Sequence, residues 1–261
     1  MRALGIAATG MMAQQTNVDV ISNNIANANT TGFKSARAAF QDLIYDHRSR
    51  EGAVTAEEGT VKPTGVDIGL GVRTVGTVRL NVQGGLVGTE NKLAMAIDGR
   101  GYFTVNLPDG NVAYTRDGSF QLSAEGQIVT LQGYEVDPGI VVPDNTVDIE
   151  VSEQGIVSAY IADDPVPVEL GQLTLTTFIN DAGLRPLGNN MLQATNSSGD
   201  PQQAVPGDAG IGLIRQGYLE DSNVNVIQQI TDLISAQRAY EMNSKAIETA
   251  DQMMSVTNEI K

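Results

Sequence analysis

Apolar side chains recur along this chain with two different periods, and the change of period divides it. From Ala3 to about Ala28 the period is helical. Leu4, Met11, Val18 and Ile25 recur at seven, Ala7, Gln14, Ile21 and Ala28 form the companion series, and only Gln14 is polar. That is the a/d pattern of a coiled-coil seam. Gly32 stands where a residue with positive φ stops a helix, and Phe33 follows as the apolar residue that folds back over the last turn. The pattern predicts one helix of roughly 26 residues, about 40 Å long at a rise of about 1.5 Å per residue. The same period returns at Ser222 and lasts to the end. Val226, Leu233, Tyr240, Ile247 and Met254 recur at seven, with Ala236, Asn243 and Ala250 beside them. With Asp221 or Ser222 as N-cap, a second helix of roughly 36 residues and about 54 Å is expected.

Between the two, from Val66 to about Glu220, the period is two. Val78, Leu80 and Val82 alternate with polar residues, as do Leu93, Met95 and Ile97, then Phe103, Val105 and Leu107, and later Val147, Ile149 and Val151. Turn signals separate the runs: Pro108-Asp109-Gly110, Arg116-Asp117-Gly118 and Glu125-Gly126. The runs Val166-Val168-Leu170 and Leu173-Leu175-Thr177-Ile179 are out of phase across Gly171, which predicts a bulge or bend there. Residues 196–212 read as a loop, and 46–65, charged and rich in glycine, as mobile or extended. The piece from Ala36 to Tyr45 reads as short helix or extended strand.

The fold class is therefore α+β: long N- and C-terminal helices forming a coiled coil and enclosing an inserted, mainly antiparallel β domain. The expected divisions are an N-terminal core helix at 1–34, an extended connector at 35–75, a β domain at 76–221 and a C-terminal core helix at 222–261. Neither helix is built to stand alone. Gly5 and Gly10 each cost about 1 kcal/mol against Ala, and nucleation is unfavourable. The polar face of the first helix carries Asn, Gln, Thr and Ser rather than Lys and Arg, which favours a closely packed protein neighbour over a membrane surface.

Charge narrows the partners. The formal net charge is −15, and residues 76–221 hold six Lys and Arg against nineteen Asp and Glu, so nucleic acid and anionic lipid are not expected ligands. No apolar stretch is long enough to span a bilayer. The Arg2-led apolar run from Ala3 to Ala13 has no A-x-A-like cleavage site and continues in frame to Ala28, so a removable leader is not expected either. With no cysteine, disulfides and thiol chemistry are excluded. His47, the one histidine, lies between Asp46 and Arg48 in a polar segment and is expected to be solvated. The glycine-rich runs 69–76 and 207–212 lack the spacing of a nucleotide loop. Asp163-Asp164 and Glu220-Asp221 are adjacent carboxylates, expected in solvated turns rather than facing each other across a cleft. No cofactor or metal is called for, and an enzyme is not the expected reading.

Three stretches carry a resemblance. Residues 23–34, NNIANANTTGFK, and 222–254, SNVNVIQQITDLISAQRAYEMNSKAIETADQMM, look like the N- and C-terminal signatures of bacterial flagellar rod and hook proteins. Residues 96–136 resemble the β domain of the same family. The likeness covers nearly the whole chain and is greatest to the distal-rod members. It implies a structural, self-assembling subunit whose helices line a rigid helical tube that transmits torque through the periplasm. It also implies partners: further copies of the chain, proximal rod and hook proteins at the ends, surrounding ring proteins, and the flagellar export apparatus that delivers it. In the family the segment after the first helix separates straight rod from bent hook. Here it falls on Tyr45 to Gly65 and includes His47, Arg48, Arg50 and Gly52. The family's usual proline before that glycine is replaced by Glu51, and Tyr102 stands where Phe is common. A hook or proximal-rod subunit is the alternative within the family, and a periplasmic glycan-processing enzyme with helical arms the alternative outside it.

The seam leads to a direct test. Ile21→Asp or Ile247→Asp would bury an unpaired carboxylate at a cost of several kcal/mol in every subunit. Each variant should abolish assembly, scored by electron microscopy of basal bodies, while the β domain keeps its unfolding midpoint; normal rods would remove these positions from the seam.

Overall fold

The computed structural model describes residues 2–49, 64–162 and 166–259, and the chain divides into two compact units. The first consists of Met1–Ala26, Ala36–Val78 and Asn225–Lys261, the second of Asn27–Ser35 and Arg79–Val224.

In the first unit, helices α1 (Arg2–Ala26) and α2 (Val226–Glu259) lie side by side. Asn24 Nδ2 donates to Gln229 Oε1 at 2.9 Å, and Gly10 sits against Asn243, so the helices run antiparallel. A long β ribbon completes the unit. The strand Ala36–Asp42 pairs with Val72–Arg79, and Tyr45–Ser49 pairs antiparallel with Val66–Gly69. Leu43 N–H donates to Gly71 O at 2.9 Å and Leu70 N–H to Ile44 O at 3.2 Å, which joins the two pairs into one hairpin. The ribbon packs on α1: Thr9 Oγ1 accepts from Val72 N–H, and Arg2 pairs with Asp46. Gly71, at φ +123°, leaves room for Thr9, because a Cβ there would fall 2.2 Å from its hydroxyl oxygen. The segment 46–65, expected to be mobile or extended, begins as paired strand through Ser49, and its residues 50–63 lie outside the described residues. Arg50, Glu51 and Gly52 lie outside the described residues.

Both helix boundaries differ from expectation. α1 ends at Ala26, six residues before Gly32, because the Asn- and Thr-rich stretch that follows closes turns of its own. Thr30 N–H bonds Asn27 O and Phe33 N–H bonds Thr30 O. Gly32 has positive φ, +68°, yet its N–H donates to Glu220 O at 2.7 Å rather than capping a helix. α2 begins at Val226, and its cap is Asn225, whose Oδ1 accepts from Gln228 N–H at 3.2 Å. Asp221 and Ser222 do not cap it: Asp221 Oδ1 accepts from Ser222 N–H at 2.8 Å and Ser222 Oγ from Val224 N–H at 3.3 Å, both ahead of the helix.

The second unit is antiparallel β throughout its paired strands. Its largest sheet has nine strands, and a three-stranded sheet is formed by Thr146–Val151, Ile156–Ile161 and Val168–Gln172. The register of the last pair skips Leu170, a bulge beside Gly171. Met95, Ile97, Phe103, Phe120, Leu175 and Ile214 form the centre of the core, with the Phe103 and Phe120 rings edge-to-face at 5.0 Å. Strict alternation fails in the best buried strands. Met95, Ala96 and Ile97 are all sealed, as are Tyr102, Phe103, Thr104 and Val105, because both faces are covered. It fails the other way at Leu80 and Val82, and at Val78 in the first unit, all three exposed. The region 196–212 is not all loop: Gln202–Ala204 pairs with Leu175–Thr177, a pairing made by backbone groups that a Gln-Gln-Ala sequence does not advertise.

Tyr102 belongs to a second cluster with Tyr114, Phe178 and Leu184. Burial, then the nearby Asp181, pushes its phenol up to about 12. The folded state therefore holds the proton that the unfolded chain releases near pH 10, and stability is intact below that pH and lost between about 10 and 12. A displacement of this size corresponds to about 3 kcal/mol. Tyr102→Phe should leave the urea midpoint of the β unit nearly unchanged at pH 7 and remove most of its fall between pH 10 and 12.

Candidate functional site

Two features could carry function: the apolar surface of the helices and a charged centre inside the β unit. Of the residues expected to form the helical seam, Ile21, Ala236 and Ala250 are buried. Leu4, Met11, Val18, Ile25, Leu233, Ile247 and Met254 are half-buried, and Val226 and Tyr240 are exposed. Ala28 is half-buried but lies in the turns of the second unit. On α1 the face toward α2 also includes Gly10 and Asn24, which the heptad count left out. On α2 a further apolar stripe is exposed: Ile227, Ile230 and Ile234 fall on one flank, about a third of a turn round the helix from Gln229, Leu233 and Ala236, and Ile227 is 80% exposed. Met12 on α1 and Met242 on α2 are exposed as well.

The charged centre was not foreseen. Glu220, expected in a solvated turn, has no solvent-exposed side-chain surface. Its Oε1 accepts from Lys34 Nζ and, at 2.9 Å, from Gly84 N–H, while Oε2 accepts from Arg116 Nη1 at 3.0 Å. Lys34 Nζ also donates to Val82 O at 2.9 Å, Arg116 Nη2 to Gly99 O at 2.6 Å, and the guanidinium lies 5.5 Å from the Tyr102 ring centre. Burial, with Arg116 adding to it, lowers the Lys34 pKa against the pull of Glu220. Asn223 works beside this centre. Its Oδ1 accepts from Ser35 N–H at 2.7 Å, and its Nδ2 donates to Leu80 O and Val82 O at 2.8 and 3.0 Å. Together Glu220 and Asn223 tie residues 32–35, 80–84 and 220–223, the stretches by which the chain enters and leaves this unit. Gly84 is required there, since a Cβ would meet Asp221 O at 1.9 Å. Three partners, each more than a hundred residues from Glu220, leave no local signal in the sequence.

The residues weighed for catalysis do not come together among the described residues. Glu220 is locked between two cations, Asp163 and Asp164 lie outside the described residues, and His47 is exposed with Nδ1 2.6 Å from Asp67 Oδ1. A cleft of about 300 Å³ holds Glu90, Lys92, Asp148, Glu150 and Tyr160. Its groups answer one another: Lys92 pairs with Asp148 at 2.6 Å, and Tyr160 donates to Glu150 at 2.9 Å. Among the described residues there is no cluster of His, Cys, Asp and Glu able to hold a metal, and no helix long and apolar enough to cross a membrane.

A pair of terminal helices with an apolar face left bare, joined to an acidic antiparallel β unit, defines a protein built to be packed against. Three family models match the chain and place it in one class. They are described as flagella basal body rod protein over 4–34, flagellar hook protein FlgE/F/G D1 domain over 96–159, and flagellar basal body rod FlgEFG protein C-terminal over 215–260. Full-length relatives agree. The flagellar basal-body rod protein FlgG of Agrobacterium fabrum is 49% identical over 99% of this chain and 98% of its own. The FlgG of Caulobacter vibrioides is 48% identical over all of both chains, and that of Bacillus subtilis 36% identical over 97% of each. The chain belongs to the FlgG family of flagellar basal-body rod proteins. That family is structural and is not an enzyme family.

The charged centre makes a stability prediction. Glu220→Gln would leave Lys34 and Arg116 buried without a counter-charge, costing about 3 to 5 kcal/mol. The urea midpoint of the β unit should fall accordingly, and Lys34→Met in the same chain should recover part of the loss. An unchanged midpoint in Glu220→Gln would mean the centre contributes nothing.

Proposed function

We propose that the chain is a structural subunit of the flagellar distal rod, polymerising through its terminal helices into a rigid helical tube. The observation that carries this reading is the bare apolar stripe on α2. Burying an isoleucine is worth about 1.5 to 3 kcal/mol, and a helix of 34 residues that covers only one side against α1 leaves that gain unrealised. In a polymer the stripe would meet α1 or α2 of neighbouring copies, and the two helices would pair as a coiled coil in every subunit. The seam positions Leu4, Met11, Val18, Ile21, Ile25, Leu233, Ala236, Ile247, Ala250 and Met254, with the exposed Val226 and Tyr240, belong to that packed core on this reading. The acidic β unit would then face outward, inside the surrounding rings. Proximal-rod and hook proteins would meet the ends of the polymer, and the subunit would reach the periplasm through the flagellar export apparatus. The segment from Tyr45 to Gly65 would set the straightness of the tube. The ion-paired centre at Glu220 suits such a part, since a load-bearing subunit must not yield where the chain passes into its β unit.

Deleting the coding sequence from its own bacterium and imaging basal bodies by negative stain tests the assignment. Distal rods should be missing, hooks should not assemble on the truncated bodies, and the chain supplied in trans should restore both. Full-length rods in the deletion strain would refute it.

A further inference from the structure

The helix pair has a seam too plain to fix its own alignment. Ala7 and Ala13 on α1 and Ala236 and Ala250 on α2 are its buried small residues, and alanine rows slide past one another at little cost. Two polar contacts interrupt it. Asn24 is 2% exposed, and its carboxamide is fully committed: Oδ1 accepts from Ala36 N–H at 2.9 Å, while Nδ2 donates to Ala36 O at 2.8 Å and to Gln229 Oε1 at 2.9 Å. The two bonds to Ala36 hold the amide plane, so the donor aimed at α2 has one direction. Fourteen residues earlier on α1, Gly10 offers no side chain, and Asn243 of α2 occupies the space: a Cβ on Gly10 would lie 2.9 Å from Asn243 Nδ2. Gln229 and Asn243 are also fourteen residues apart, so both contacts belong to one antiparallel alignment.

We propose that these two layers, Asn24 with Gln229 and Gly10 with Asn243, are the positioning residues that set the register of the terminal helices. A slip of one turn places Asn24 against Leu233 or Val226, and Gly10 against Ile247 or Tyr240. It also carries Asn243 onto Gln14 or Ala7. Each slip leaves a buried amide without its partner, a penalty that falls on the misaligned state alone. A single buried polar pair acts this way in coiled coils, trading stability for alignment. The inference concerns pairing within one chain and does not rest on the reading of the polymer.

Because the chain contains no cysteine, disulfide trapping on the purified full-length protein reads the alignment directly. Asn17→Cys with Ala236→Cys reports the observed register; Asn17→Cys with Leu233→Cys or with Tyr240→Cys reports slips of one turn. In the otherwise unaltered chain the first pair should close at least fivefold faster than the others. Adding Asn24→Leu with Gln229→Leu should preserve helix content by circular dichroism while erasing that preference. Gly10→Asn should slow closure of the 17–236 pair, and exchanging the partners, Gly10→Asn with Asn243→Gly, should restore it although the composition of the pair is unchanged. A preference that survives the double leucine substitution, or an exchange that fails to rescue, would overturn the proposal. A loss of helix content in the leucine variant would overturn it too, since the layers would then be supplying stability rather than register.

Discussion

One buried carboxylate holds together three stretches of the β unit that lie far apart in the sequence. Glu220 accepts from a lysine near the start of the chain, an arginine in its middle and a backbone amide at the entry to the β unit. Such an arrangement is a poor source of net stability, because desolvation of three charges offsets most of their attraction. Its value is that no two of the three segments can shift without stranding a charge. Asn223 does the same with neutral bonds, and Gly32, Gly84 and the turns around them follow from the close backbone approach that these contacts demand.

The helical unit is held on different terms. Its seam is narrow, its buried side chains are mostly alanine, and the isoleucines that could drive association stand partly on the outside of α2. A helix pair with that distribution gains more from further neighbours than from itself. The polar residues inside it, Asn24 above all, add specificity to an interface that has little bulk. The β unit differs in kind: its core is aromatic and aliphatic, sealed on both sides of the central strands, and complete within one chain. The β unit is thus finished within one copy of the chain, whereas the helical unit keeps apolar surface uncovered.

The membership of the chain in the FlgG family agrees with this division, and the family signatures acquire physical meanings. The asparagines of the N-terminal signature are a clamp on the first strand and a set of turns. Its final lysine is the buried cation that meets Glu220, and the asparagine near the start of the C-terminal signature, Asn223, ties two of the same segments.

Periodicity by itself determined the two terminal helices, the antiparallel β insert and the bulge beside Gly171. These are legible because a helical or strand period repeats over many residues, and each repeat adds to the same signal. The ends of the helices, the strand at Gln202–Ala204 and the exposure of Val78, Leu80 and Val82 were decided elsewhere. They depend on which backbone groups a distant segment happens to satisfy and on how many neighbours a strand acquires. The burial of Glu220 is the extreme case. A lone glutamate beside an aspartate reads as surface, and only the fold brings Lys34 and Arg116, 186 and 104 residues away in sequence, close enough to reverse that reading.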